Sequence, residues 1–315
     1  MIVSRAQLDA AHAALAAEVA DPATGILGPT SMSWRLGGDL AVFLGGGRAI
    51  LLQLAHPMVA YAVAHHSDAR RDVVGRFQRT FRQVFAMTYG PLDAALAAAR
   101  RVHAVHARVH GELPDAIGAW RAGARYDAND ADALRWVHAT LMDTTIAVRR
   151  RLGTRMTGRE LDRYTVEMNR FAALFGIPKA LLPRGWAEHE AYMATMLAGE
   201  QLAVAPVALE ISRFLFGRGG AGPQPALGKL TERLAAAMLP RRLVRAFELE
   251  YTRVDRAALT AAFATIGRAY ERVPRRWVAV PAHVEARRRL AGKPPSDVAR
   301  WTEKLLYGLS GRVTG

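Results

Sequence analysis

Apolar residues recur at three- and four-residue spacing in nearly every segment between the glycine and proline breaks of this chain. Convincing period-two alternation is scarce, so the pattern is that of helices with one buried face. It predicts helices over 5–20, 35–44, 48–65, 68–88, 91–110, 130–151, 157–175, 186–198, 206–216, 226–237, 240–252, 254–271, 281–290 and 295–308. Ser67 precedes Asp68 as a start signal, Pro91 opens a first turn, and Thr157 stands three residues before Glu160 as a capping box. The expected fold class is all-α, with a single large helical domain over 1–315. Residues 216–228, dense in Gly and Pro, are expected to form a loop, and 229–315 a C-terminal helical extension packed on the rest.

The most apolar run, Ala49 to Ala64, is too short to span a bilayer and contains Gln53, His56 and Pro57. It reads as a buried helix. The first twenty residues mix charges into an amphipathic pattern and lack the apolar centre of a secretory signal. A cytoplasmic protein without a transmembrane segment is the expectation. At 315 residues and 51% hydrophobic content, the chain can bury a large core.

Charge changes the picture less than its size suggests. The balance is 43 − 28 = +15, carried by thirty-nine arginines and only four lysines. Short basic runs at 149–151, 241–242 and 287–289 come without any nucleic-acid-reading motif, so no nucleic acid is expected as a partner. Contact with an anionic surface stays open. With no cysteine, the chain has no disulfide, thiolate metal site, iron–sulfur cluster or thiol nucleophile, and any metal must be held by His, Asp, Glu or Tyr.

The stretch RRVHAVHARVHG (100–111) spends three of ten histidines within eight residues. On a helix, positions 103, 106 and 110 fall within about 60° of one another, at the border of an apolar side formed by Val102, Val105 and Val109. Buried imidazoles are costly unless each finds a partner. One reading is a mononuclear zinc or iron site. It would need ligands from a second element such as His56, His65-His66 or His138, because no HExxH motif is present and one helical stripe cannot surround a tetrahedral ion. Another is haem, which takes one histidine among apolar helices. The residue pattern alone leaves both open.

Several motifs in succession carry a resemblance: RAILLQLAHPMVAYAVAHHS (48–67), RFQRT (76–80), VHAVHARVHG (102–111), YDANDADALRWVHATL (126–141), LDRYTVEMNRFAALFGIP (161–178) and Pro183-Arg184-Gly185-Trp186. Over residues 30–215 this series resembles the MpaB-type oxygenase family, which includes the bacterial latex-clearing rubber oxygenases. The resemblance implies a globin-like helical core around a haem b, with one axial histidine on the helix after the Arg-x-x-(Lys/Arg)-Thr motif. The family pattern His-x-x-Val-x-Gly matches His106 to Gly111, so His106 is the expected proximal ligand of the haem iron and His110, where relatives often carry arginine, the fallback. His138 is a candidate partner for the other imidazole nitrogen.

Arg76, Arg79 and Thr80 share a helix face and are the expected distal groups. In the rubber oxygenases the middle position is a lysine; Arg79 stays charged and offers a rigid donor fork instead. The distal carboxylate of those enzymes has no counterpart, since residues 50–67 contain neither Asp nor Glu. His56, His65 or His66 could take its place. The resemblance thus implies a haem-dependent oxygenase acting on a small apolar, alkene-containing substrate with O2. A peroxidase-like haem enzyme and a non-catalytic haem- or lipid-binding protein are the alternatives.

Overall fold

Capping and breaking residues divide the chain into fifteen α-helices and one short hairpin among the described residues. The computed structural model describes residues 1–65, 73–218, 225–270 and 272–296, without the side chains of 73–79, 81 and 225. The first half runs α1 (Arg5–Glu18), α2 (Met32–Gly37), α3 (Gly46–Leu54), α4 (Pro57–His65), α5 (Val73–Tyr89), α6 (Leu92–His106), β1 (His110–Glu112) and β2 (Arg125–Asp127). It continues with α7 (Ala131–Arg151), α8 (Gly158–Ala173), α9 (Trp186–Ala198), α10 (Pro206–Leu215) and α11 (Pro225–Met238). The last elements are α12 (Arg241–Ala246), α13 (Arg253–Tyr270), α14 (Arg275–Val278) and α15 (Pro281–Leu290). The fold is all-α apart from the antiparallel pairing of β1 with β2.

Local chemistry explains where the helices begin and where they depart from the expected spans. Thr157 and Glu160 form the reciprocal capping box at the start of α8, with Glu160 N donating to Thr157 Oγ1 at 3.2 Å and Thr157 N to Glu160 Oε2 at 2.9 Å. The expected helix 48–65 is two helices. Pro57 brings no N–H and its ring clashes with the carbonyl four residues back, so the chain turns at Ala55 to Pro57. The segments 40–54 and 57–65 meet at 103°, and no single helix among the described residues is long and apolar enough to cross a membrane.

Further corrections follow the same logic. Within 35–44, the Asp39 side chain accepts from Ala41 N at 3.1 Å and splits the span into α2 and a 3₁₀ turn. Within 240–252, α12 stops at Ala246, and Glu248 takes a positive φ of 54°. The expected loop 216–228 ends early, because Pro225 starts α11. Ser67, Asp68 and most of 295–308 lie outside the described residues.

The core is organised around α7. Trp136 is fully buried and its indole N–H donates to Leu52 O of α3 at 3.0 Å. Beside it, Arg48 of α3 is also buried, and its guanidinium donates to Asp143 Oδ2 at 2.6 Å, Thr144 Oγ1 at 2.7 Å and Met238 O at 2.9 Å. One side chain thereby ties α3, α7 and the end of α11 together. Close approach of α11 to α3 needs Gly47, where a Cβ would come within 3.2 Å of Ala235 and Thr231. A second buried pair, Arg149 with Asp39 at 2.8 Å, fixes the far end of α7 to the segment after α2. On the other side Trp34 of α2 donates to Thr88 O at 3.1 Å and packs edge-on to Tyr89 and His283, which brings α5 and α15 to α2.

Candidate functional site

The candidate site lies where α6 ends, and the YDAND segment (126–130) builds that end. Tyr126 sits on β2 opposite Gly111 of β1, buried, with its hydroxyl 3.0 Å from His65 Nδ1 at the end of α4. A side chain at Gly111 would meet Tyr126 Oη at 2.5 Å, so the hairpin closes only with glycine there. Asp127 accepts from Asn129 N at 2.7 Å in a tight turn, and Asn129 Nδ2 donates at 3.2 Å to His103 O, a carbonyl that also accepts from Ala107 N at 2.9 Å in the last turn of α6. Asp130 then caps α7, accepting from Asp132 N and Ala133 N at 3.0 Å. Five residues thus join the end of one helix to the start of the next.

This construction corrects the histidine stripe. The expected helix 91–110 stops at His106, because Val109 N turns back to His106 O at 2.8 Å and the chain leaves as β1. His110 stands exposed on the strand, and His103 Nε2 lies 2.9 Å from Val3 O, tied to the N-terminal segment. The three imidazoles do not form one ligand set. Among the described residues no group of three or more His, Asp or Glu is arranged to hold a metal ion, so the zinc reading has no geometry to support it.

His106 is half-buried in the last turn of α6. Only Gly90 and Pro91 separate α6 from α5, and the two helices pack along each other. Such a hairpin is antiparallel. Counting outward from the link sets Thr80 about level with Arg101, Arg79 with Val102 and Arg76 with Val105, so the RFQRT motif runs beside the turn that carries His106. Thr80 is exposed; the side chains of Arg76 and Arg79 lie outside the described residues.

The remaining candidates fall elsewhere. His56 sits at the α3–α4 break, buried against Trp120 with ring centroids 5.1 Å apart, its Nδ1 without a hydrogen-bond partner. Burial lowers its pKa to about 4, so it is neutral. It is one helix length, about 13 Å, from His65, which is the histidine that reaches the hairpin. His66 is outside the described residues. His138 does not bond to His106: neither ring nitrogen has a hydrogen-bond partner, and the ring stacks on Phe171 between α7 and α8. Burial, with His189 nearby, lowers its pKa to about 3. His138 and His189 line a small pocket of about 10 Å³ together with Arg135, Met142, Leu182 and Tyr192.

Sequence reasoning does not single out Tyr126 or its contact with His65. Burial raises the pKa of this phenol, so it donates or accepts as a neutral hydroxyl. The signal was the tyrosine at the head of a segment rich in cap-forming residues. Reasoning also missed the Arg48–Asp143–His189 group. Burial works against the charge of Asp143, but His189 at 3.8 Å and Arg48 at 2.6 Å hold its pKa below the ordinary value. An arginine at the edge of an otherwise apolar run was the available hint.

The donor set at the end of α6 suits a group that takes a single axial nitrogen and carries anionic edges. It offers one half-buried imidazole at a helix end that carries the exposed Arg101 and Arg108, on a helix packed along α5, whose sequence holds Arg76, Arg79 and Arg82. Haem with its two propionates is such a group. The chain belongs to the family described as ER-bound oxygenase mpaB/B'/Rubber oxygenase, catalytic domain, which matches residues 34–269. The match passes residue 215, the limit expected from the motifs, and takes in α11, α12 and nearly all of α13. No curated protein and no solved structure matches the chain.

Proposed function

We propose that this protein is a haem-b-dependent oxygenase that uses O2 on a small apolar, alkene-bearing substrate, with His106 as the axial ligand. The observation that carries the reading is the α5–α6 hairpin, which sets the RFQRT motif beside the half-buried His106. When bound, haem supplies the iron at which O2 is activated. The chain's own residues do the rest. His106 would hold the group through one imidazole nitrogen. Arg79 and Arg76, always protonated, cannot coordinate iron as a lysine can after losing its proton, and so would leave the opposite side open. Their fixed donor forks would pair with a propionate or with a developing negative charge on oxygen.

No carboxylate between residues 50 and 67 is there to take a proton from substrate. His65, held by Tyr126 at 3.0 Å, is the better placed substitute, since His56 is a helix length away and burial, which lowers its pKa to about 4, makes it a poor proton acceptor. A peroxide-using haem enzyme is the second reading. It is favoured by the same missing carboxylate together with arginine in the RFQRT motif.

An absorption spectrum of protein purified from haem-supplemented cells, before and after dithionite and carbon monoxide, tests the assignment. A Soret band that shifts with carbon monoxide, disappears in His106→Ala and persists in His110→Ala is expected. A fully loaded His106→Ala protein overturns it. Turnover with peroxide and none with O2 selects the second reading.

A further inference from the structure

The strongest unassigned surface lies at the C-terminal end of α13 and on α14. Trp277 is 71% exposed and Ile266 45% exposed, both unusual for large apolar side chains. Along the same stretch of chain lie Arg268, Arg272, Arg275 and Arg276, all exposed, the last three within five residues of Trp277. Between 266 and 278 the sequence sets these four arginines against one carboxylate, Glu271. Among the described residues none of the four is paired with a carboxylate. Arg268, Arg272 and Arg275 donate only to backbone carbonyls, of Ala264, Arg268 and Arg35, and the Arg276 guanidinium lies 6.0 Å over the Trp277 ring.

We infer that this patch docks the protein onto an anionic lipid surface, with Trp277 entering the interface and the arginines next to it in the chain, Arg272, Arg275 and Arg276, on the lipid phosphates and headgroups. The argument is charge complementarity joined to side-chain chemistry. An indole has a flat apolar body and one N–H, and it gains most at the boundary between headgroups and acyl chains. Guanidinium groups beside it find phosphate oxygens for their donors and lose little to dehydration. A patch with four arginines to one carboxylate attracts a negative surface from beyond contact. Trp277, Arg272, Arg275 and Arg276 lie past residue 269, where the family match ends. Nothing in it reads bases: a single aromatic side chain on a four-residue helix offers neither a stacking series nor a groove-filling element. The inference is independent of the haem assignment. Docking would bring an enzyme for apolar substrates to the phase in which such substrates dissolve.

Sedimentation of the full-length protein with phosphatidylcholine vesicles, with and without phosphatidylserine, tests this. Binding is expected only to the phosphatidylserine vesicles, and it is expected to disappear at about 1 M salt, where screening acts within a few ångströms. The double variant Arg275→Glu/Arg276→Glu should bind more than tenfold more weakly, and Trp277→Ala should also release the protein. Arg159→Glu, which alters an exposed arginine on α8, is the control for net charge and should bind as the unaltered protein does. All four positions are exposed, and circular dichroism checks that the variants fold. Equal loss in Arg159→Glu, or no preference for phosphatidylserine, overturns the inference. So does binding of duplex DNA through the same residues without binding of vesicles.

Discussion

The Tyr126 hydroxyl and His65 Nδ1 stand 3.0 Å apart, and this contact fastens the end of α4 to the hairpin that terminates α6. Tyr126→Phe removes it while keeping the ring. The expected cost is about 1 kcal/mol, the net value of one ordinary hydrogen bond, measured by urea denaturation. Gly111→Ala attacks the same junction from the other side, with a Cβ 2.5 Å from the phenol oxygen, and should cost about 1–3 kcal/mol by overpacking. Combining the two should recover only part of that loss, because the new methyl also lies 2.7 Å from the ring carbon that bears the hydroxyl. Fully additive losses would mean that the two residues do not meet in solution.

Burial lowers the pKa of His56 to about 4 and that of His138 to about 3. Both are neutral when folded, whereas in the unfolded chain each takes up a proton below its ordinary value near 6.5. The unfolded state therefore binds more protons in that window. Stability contributed by these two groups is complete above pH 6.5 and is lost as the pH falls toward 4 and then 3, at about 1.4 kcal/mol per group for each pH unit. Urea midpoints measured from pH 7.5 to 4.5 should fall accordingly. His138→Phe should flatten the slope, and an unchanged slope in that variant would exclude His138 as its source.

Arg48 is the side chain on which three segments converge. Arg48→Ala strands the Asp143 carboxylate and leaves the Thr144 hydroxyl and the Met238 carbonyl without this donor. Breaking a buried pair costs about 3–5 kcal/mol. The lower figure is expected here, since the Asp143 side chain keeps 20% of its exposure. Asp143→Asn in the same background should restore part of the loss by removing the stranded charge. A melting temperature unmoved by Arg48→Ala would contradict the packing of α11 against α3.

Local signals were legible wherever a cap or a breaker stands beside the element it controls. The helices 186–198 and 281–290 have the spans that their flanking glycines and prolines announce, and the Thr157 capping box forms as its spacing requires. What pattern cannot show is a boundary set from a distance. The periodicity of α6 runs on through Val109 and His110, yet the chain leaves the helix after His106 to pair Gly111 with Tyr126, fifteen residues further on. The grouping of three histidines was misleading for the same reason, since His103 is bound to the N-terminal segment and His110 lies on a strand. Motif order pointed to His106 and RFQRT, but the position of one beside the other came from the short Gly90-Pro91 link. The partners of Arg48, 95, 96 and 190 residues away, left no trace in local spacing.

The Gly90-Pro91 link makes the α5–α6 hairpin a ruler with its zero at the turn. Each residue added to or removed from either arm slides everything beyond it by about 1.5 Å and rotates it by about 100°. The distance from the turn to RFQRT and the distance from the turn to His106 therefore constrain each other, even though no single contact records the constraint. Length changes can be absorbed outside the two arms, in the segment before α5 or in the loop between β1 and β2. Inside them, one inserted alanine is a change of address for the site.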